Sequence, residues 1–124
     1  MRSVVAVLLG YAVFAVSAVA LFTVSGYDPH SKAPAGFVAF AVAWGSGFGV
    51  AAGFVAAWVA RAEYWKHALA VGCTIAVGAT LSMIARPGQG SLWTQLCALL
   101  VFAPLTLVGG LLRARLACRT RNTS

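Results

Sequence analysis

Charged residues are scarce in this sequence, and acidic residues are almost absent. Of the 124 residues, 9% are charged, and the chain has 9 Lys and Arg against 2 Asp and Glu. Soluble domains usually carry about 25% charged residues, which keep their surface in contact with water. A hydrophobic fraction of 61% and a mean hydropathy of +0.90 therefore exclude an ordinary soluble fold. The length allows one domain, residues 1–124, with lipid as its main solvent.

The residues needed for catalysis or metal binding are also missing. The two acids, Asp28 and Glu63, lie in separate connectors on opposite sides of the predicted membrane, which excludes a paired-carboxylate site within one chain. Asp28 and His30 together offer too few ligands for a metal ion. The sequence therefore predicts that the protein is not an enzyme, with no catalytic, cofactor-binding or metal-binding residue.

Cysteine is too sparse to form a disulfide framework. Cys73, Cys97 and Cys118 make an odd number and contain no CxxC pair. The first two fall within apolar runs, where cysteine commonly serves as a small hydrophobic side chain. Cys118 belongs to the basic C-terminal tail.

Long apolar runs dominate what remains. They cover residues 4–24, 36–60, 67–85 and 91–112, and none has Asp, Glu, Lys or Arg in its interior. Each is close to the ~20 residues that cross a ~30 Å hydrocarbon core as a helix. Only helices and closed barrels cross lipid, and these runs lack the alternating pattern of barrel strands. The sequence predicts an all-α, integral-membrane four-helix bundle with a basic tail at 113–124.

Lys and Arg are divided unequally between the two predicted membrane faces. One face holds Arg2, Arg61, Lys66 and the arginines of the tail, whereas the other holds Lys32 and Arg86. Positive residues are retained on the cytoplasmic side. We therefore expect both termini in the cytoplasm and place the chain in the inner (plasma) membrane.

The tail has four arginines immediately after the last apolar run: Arg113, Arg115, Arg119 and Arg121. Basic residues close to a membrane each gain ~1 kcal/mol of attraction to anionic lipid. We therefore expect these arginines to contact anionic lipid head groups. Because the basic residues flank apolar runs and form no continuous stripe, a nucleic-acid partner is not predicted.

The N-terminal run allows a second interpretation. Arg2, the apolar stretch and the sequence Ala18-Val19-Ala20 resemble a signal peptide with its cleavage site, and cleavage would leave three spans. The apolar run continues beyond that site to Val24, which favours a retained first span.

A stripe of small residues runs along the second apolar segment. Ala41, Gly45, Gly49, Gly53 and Ala57 recur every four residues, so they share one helix face. Such stripes allow close approach of a neighbouring helix where no hydrophobic force drives association. The pattern predicts a tight contact centred on Gly49, either within this bundle or at a dimer seam, and leaves a pore-lining role as a further alternative.

The third segment repeats this pattern with Ala68, Gly72, Ala76 and Thr80, which makes Gly72 a further candidate for helix packing. In the fourth segment, Pro104 lacks a backbone donor and predicts a kink.

Four stretches of the sequence form a pattern together. They are the segment from Gly49 to Arg61 (GVAAGFVAAWVAR), the segment from His67 to Gly72 (HALAVG), Leu92-Trp93, and the segment from Gly109 to Arg113 (GGLLR). The pattern resembles a group of small four-span proteins of the bacterial inner membrane to which no activity is assigned. The resemblance implies a bacterial origin and a four-span fold.

Two functions remain compatible with these features. We expect a structural or accessory membrane protein that acts through helix contacts with itself or with a partner. The alternative is a small oligomeric transporter or channel for a small solute. Its path would be lined by Gly45, Gly49, Gly53, Thr74, Thr80 and Gln95.

Overall fold

Four long helices make up the structure. A computed structural model describes residues 1–29, 31–86 and 92–123. The helices are α1 (Arg2–Ser25), α2 (Ala35–Ala60), α3 (Tyr64–Ala85) and α4 (Trp93–Asn122), and no strand occurs in the described ranges. All four are long and apolar enough to cross a membrane. The prediction of an all-α four-helix bundle is confirmed, and the chain is a multi-pass membrane protein.

Two helices end in left-handed backbone conformations. α1 ends at Gly26, where φ is 73° and the backbone N–H donates to the carbonyl of Phe22. α2 ends at Arg61, which has a φ of 59°, although glycine is the usual residue in this position. Glu63, two residues later, also has a positive φ of 46°. The α2–α3 connector is therefore a tight turn that needs no glycine.

The fourth helix is longer than the apolar run that predicts it. α4 has 30 residues and continues to Asn122, so the basic tail is helical instead of a separate segment. At ~1.5 Å per residue this length is about 45 Å, which exceeds the ~30 Å hydrocarbon core. The arginine-bearing turns of α4 therefore extend beyond the apolar layer.

A π-helical segment interrupts α4 at Ala98–Phe102 and ends two residues before Pro104. Proline removes one backbone donor and its ring crowds the carbonyl four residues earlier. Here the N–H of Ala103 donates to the carbonyl of Ala98, five residues back. The wider hydrogen-bond spacing gives Pro104 room in a continuous helix, whereas the kink expected from the sequence stays a prediction.

The helices alternate in direction, so α2 and α4 run parallel to each other. α2 contacts all three other helices, while α3 packs against α4 and α1 packs mainly against α2. The N-termini of α1 and α3 therefore lie at the same end of the bundle as the C-termini of α2 and α4. This end holds most of the basic residues, namely Arg2, Arg61, Lys66 and the α4 arginines.

Small side chains fill the interior, and large ones face outward. The central cluster comprises Ala52, Ala56, Val71 and Ile75, each at most 3% exposed. Large apolar side chains are exposed along every helix, including Leu8, Val16, Val19, Leu81, Ile84 and Leu100. Lipid tails are as apolar as leucine, so this arrangement carries no penalty in a bilayer, where helices associate through close packing.

Candidate functional site

The glycine face of α2 lies against α4. A Cβ at Gly45 would overlap the ring of Phe102, and a Cβ at Gly53 would overlap the carbonyl oxygen of Thr106. At Gly49 the same atom would lie 3.1 Å from the carbonyl oxygen of Phe102, which is tight without overlap. The closest approach therefore falls at Gly53, one turn beyond the position that the sequence pattern places at the centre.

Two adjacent glycines of α4 also make close contacts, Gly109 with this face of α2 and Gly110 with α3, and the sequence interpretation did not single them out for packing. A Cβ at Gly109 would overlap the carbonyl oxygen of Val50 and lie 2.6 Å from the backbone nitrogen of Phe54. On the adjacent side of α4, a Cβ at Gly110 would lie 2.5 Å from the Cβ of Ala68 in α3. Because both helices contribute glycine, the α2 and α4 backbones touch without intervening side chains. The adjacent glycine pair within an apolar run is the signal that could have indicated this contact.

Thr106 links three helices at this level. Its side chain is fully buried. Its hydroxyl lies 2.7 Å from the carbonyl oxygen of Ala103 and 3.0 Å from that of Ala68 in α3, so the hydroxyl proton is shared between these acceptors. Gly72 of α3 faces the same point, since a Cβ there would lie 2.7 Å from both the Ala103 oxygen and the Thr106 hydroxyl.

A further close contact joins α1 to the other helices. A Cβ at Gly10 would lie 2.7 Å from the carbonyl oxygen of Ala52 in α2 and 2.9 Å from a methyl group of Val71 in α3. Close contacts at glycine therefore occur in the half of the bundle nearest the basic end. They involve Gly10 of α1, Gly53 of α2 and Gly109 of α4.

The other half of the bundle is less tightly packed. A cavity of about 120 Å³ lies between α1, α2 and α4, where the rings of Phe14 and Phe102 are 5.5 Å apart. Its lining is apolar apart from Ser17, Thr94 and two indoles. The indole N–H of Trp44 donates to the carbonyl of Ser17 over 3.3 Å, which fixes the tryptophan against α1.

A second cavity, of about 190 Å³, lies between α1, α3 and the start of α4. Its lining includes Tyr11, Ser82 and Gln95, and Gln95 is only 7% exposed. The hydroxyl of Thr94 lies 2.8 Å from the Gln95 side-chain oxygen and 2.8 Å from the carbonyl oxygen of Pro29. This is a polar cluster within a bundle whose interior is otherwise largely apolar.

The connector between α1 and α2 is held against α4 at the same end. The indole N–H of Trp93 donates to the carbonyl of Ser31 over 3.2 Å, and the rings of Tyr27 and Phe37 stack with centroids 4.2 Å apart. His30, considered above as a metal ligand, lies outside the described residues. Within the described ranges, no group of three or more His, Cys, Asp and Glu side chains could hold a metal ion.

The residues proposed to line a solute path do not share one surface. The α2 glycines face α4, and Gln95 faces the second cavity. Thr74 and Thr80 are exposed on the outside of α3, and their hydroxyls donate to the carbonyls of Ala70 and Ala76, each over 2.8 Å.

The arginines of α4 divide into two sets. Arg113 lies over the ring of Tyr64, with its guanidinium carbon 5.8 Å from the ring centroid, and its Nε is buried without a hydrogen-bond partner. Arg115, Arg119 and Arg121 are exposed on the helical extension. Arg113 thus packs against the start of α3, whereas the other three lie on the extension of α4.

The turn between α2 and α3 carries an ion pair beside these arginines. A hydrogen bond from Lys66, together with its charge, holds the pKa of the Glu63 carboxyl below its usual value. His67 approaches the backbone oxygen of Glu63 with its Nδ1 at 3.2 Å, so it touches the main chain and not the carboxylate.

Comparisons of the chain with protein-family models, curated protein sequences and solved structures give no match. The structure itself defines the class: a multi-pass α-helical membrane protein with a small-residue core.

Proposed function

We propose that this chain is a non-enzymatic structural or accessory protein of a bacterial inner membrane. It acts through contacts of its outward helix faces with a second copy or with another membrane protein. The observation that carries this proposal is the backbone contact of Gly53 with Thr106, which closes the interior while large apolar side chains face outward.

The closed interior favours binding at the outer faces of the bundle over passage of a solute through it. Passage of a solute between α2 and α4 would have to separate the backbones that meet at Gly53 and Gly109. Close packing resists such changes, because interiors have few voids and low compressibility. The outer faces need no rearrangement before they bind a neighbour.

The proposed orientation has both termini in the cytoplasm. The end that gathers Arg2, Arg61, Lys66 and the α4 arginines carries most of the positive charge of the chain. Cytoplasmic flanks of membrane helices are enriched in Lys and Arg, which supports this orientation.

One observation favours the alternative, a small oligomeric transporter or channel. The second cavity, which is open to the outside, brings the polar side chains of Tyr11, Ser82 and Gln95 together between α1, α3 and α4. An oligomer could extend this cavity across neighbouring copies.

Reconstitution into liposomes separates the two functions. If the proposal is correct, the fluxes of K⁺, Cl⁻ and glycerol should equal those of protein-free liposomes. Cross-linking in the membrane should then give either discrete oligomers of the chain or a covalent complex with one particular partner protein. Flux above the control that falls in the Gln95→Leu variant would overturn the proposal and establish the transporter. The Thr23→Val variant is the matched control, because Thr23 is exposed on α1 and is not among the residues of the proposed path.

A further inference from the structure

An apolar groove follows the seam between α1 and α2 on the outside of the bundle. Its volume is about 500 Å³, and its lining includes Leu9, Ala12, Val16 and Ala20 of α1 with Trp44 and Phe48 of α2. The groove is concave because α1 contributes small alanines where α2 contributes two large rings, whose centroids are 5.1 Å apart.

A basic cavity lies at one end of the same pair of helices. Its volume is about 260 Å³, and it is lined by Arg2 at the start of α1 and by Trp58, Val59 and Arg61 at the end of α2. Both arginines are exposed. Arg61 sits just after α2 in the left-handed backbone conformation described above.

On α1, helix geometry places the basic cavity and the groove in line. Leu9 follows Arg2 by two helical turns, about 10 Å along α1, and therefore lies on the same face of the helix. Because α1 and α2 are antiparallel, Trp58 lies at the Arg2 end, about 15 Å from Phe48 at ~1.5 Å per residue.

We propose that this seam binds one anionic phospholipid, with its phosphate between Arg2 and Arg61 and one acyl chain in the groove. Guanidinium groups bind phosphate through paired charge-assisted hydrogen bonds. Trp58 also lines the cavity, and tryptophan is enriched at membrane interfaces. There the polar edge of the indole contacts lipid head groups and the rest of the ring contacts hydrocarbon.

The dimensions of the part of the groove nearest Arg2 suit a lipid of one leaflet. Half of the hydrocarbon core is about 15 Å thick, so an acyl chain that starts near Arg2 passes Leu9 and ends near Val13. Both residues line the groove. The inference goes beyond the proposed function, since it names a ligand and depends only on the chain being embedded in a bilayer.

A second copy of the chain fits this seam less well. Two copies in one membrane share the same orientation, so a copy packed on the α1–α2 face would bring a second Arg2 and Arg61 to the same level. Like charges at close range repel, whereas the phosphodiester of a lipid neutralises the pair.

Native mass spectrometry of the purified full chain in non-ionic detergent tests the site. The probes are phosphatidylglycerol and phosphatidylcholine with identical acyl chains. We expect the wild type to bind one phosphatidylglycerol at least about tenfold more tightly than phosphatidylcholine, because the two guanidinium groups repel the choline cation, whereas the glycerol head group is uncharged. The double variant Arg2→Gln/Arg61→Gln should lose about tenfold in phosphatidylglycerol affinity.

The matched control is Lys32→Gln/Arg86→Gln, which removes the same charge from exposed positions at the opposite end of the bundle and should change the affinity less than about twofold. Ala12→Leu fills the groove and should weaken long-chain phosphatidylglycerol about fivefold while leaving its dihexanoyl analogue unchanged. A melting curve of each variant shows that the bundle is folded, since all five substituted positions are exposed.

Three results would overturn the proposal. Unchanged affinity in the Arg2/Arg61 variant would place the lipid elsewhere. Displacement of the lipid by equimolar inorganic phosphate would reduce the site to a free-anion site. A lipid-free dimer that dissociates in Ala12→Leu would make the groove a seam between copies.

Discussion

Gly53 of α2 lies against the backbone carbonyl of Thr106 in α4, so closely that a Cβ at position 53 would overlap the oxygen atom. The side chain of the same threonine donates to α3 through the Ala68 carbonyl, 3.0 Å away. One pair of residues thus joins the three helices that close the interior, and the absence of a side chain at position 53 makes this possible.

Gly53→Ala should destabilise the bundle, because the added methyl group must displace a backbone carbonyl and cannot be relieved by a flexible side chain. Overpacking of this kind costs about 1–3 kcal/mol. Thermal unfolding in detergent, monitored by helical circular dichroism, measures the change.

The matched control is Gly47→Ala, since a Cβ at Gly47 meets no atom within 4 Å. Alanine is the better helix former, so this variant should be neutral or more stable by up to about 1 kcal/mol. Gly49→Ala should fall between the two, because its Cβ would lie 3.1 Å from the Phe102 carbonyl oxygen. Equal melting temperatures for all three variants would contradict the packing argument.

Thr106→Val should also lower stability. The two side chains have nearly the same shape, but valine removes the hydroxyl that lies between the carbonyls of Ala103 and Ala68. Hydrogen bonds between membrane helices average about 0.6 kcal/mol and reach about 1.7 kcal/mol.

Thr80→Val serves as the control for this experiment. The Thr80 hydroxyl is exposed and bonds only within its own helix, to the carbonyl of Ala76. Its removal should leave the melting temperature within error. A larger effect at Thr80 than at Thr106 would refute the bridging role of Thr106.

Reporter fusions test the proposed orientation. A periplasm-active reporter fused after Pro34 should be active, whereas fusions after Lys66 or Ser124 should not, because the basic ends are expected in the cytoplasm. A fusion after Gly88 should also be active; that residue lies outside the described structure. Activity after Ser124 would exclude the four-span arrangement with both termini inside, and would mean that one of the four runs does not cross the membrane.

Cysteine labelling tests whether the outer surface faces lipid. Cys73 is exposed on the outside of α3, contrary to a place in the core, and Cys118 is exposed on the extension of α4. A polar maleimide should label Cys118 from the cytoplasmic face and leave Cys73 and Cys97 unlabelled in intact membranes, because hydrocarbon excludes both the reagent and the reactive thiolate. After solubilisation and unfolding, all three should react.

Ready labelling of Cys73 in the intact bilayer would mean that water reaches the middle of α3. This result would favour the channel function over the function as an accessory protein.

The number and type of the helices could be read from the sequence with little ambiguity. Uncharged runs of about 20 residues leave no other structure for a backbone in lipid. Helix ends were less predictable: α4 continues through Arg113 to Asn122, because arginine is a good helix former and the hydropathy of a run does not limit the helix.

The arrangement of the contacts could not be read in this way. The spacing of Gly45, Gly49 and Gly53 shows that they share a face, but any of three helices or a second copy could lie against it. Only the fold shows α4 in that position, with the closest approach at Gly53, where Gly109 supplies a second gap one turn away on the partner helix.

The sequence by itself determined a solvent and a secondary structure: an apolar chain with few charges must place its side chains in lipid and pair its backbone within helices. The tertiary structure decided which glycines are in contact, that Thr106 links α4 to α3, and that Arg2 and Arg61 line one basic cavity. The physical reason is that hydrophobicity acts residue by residue, whereas packing depends on the mutual fit of surfaces far apart in the chain.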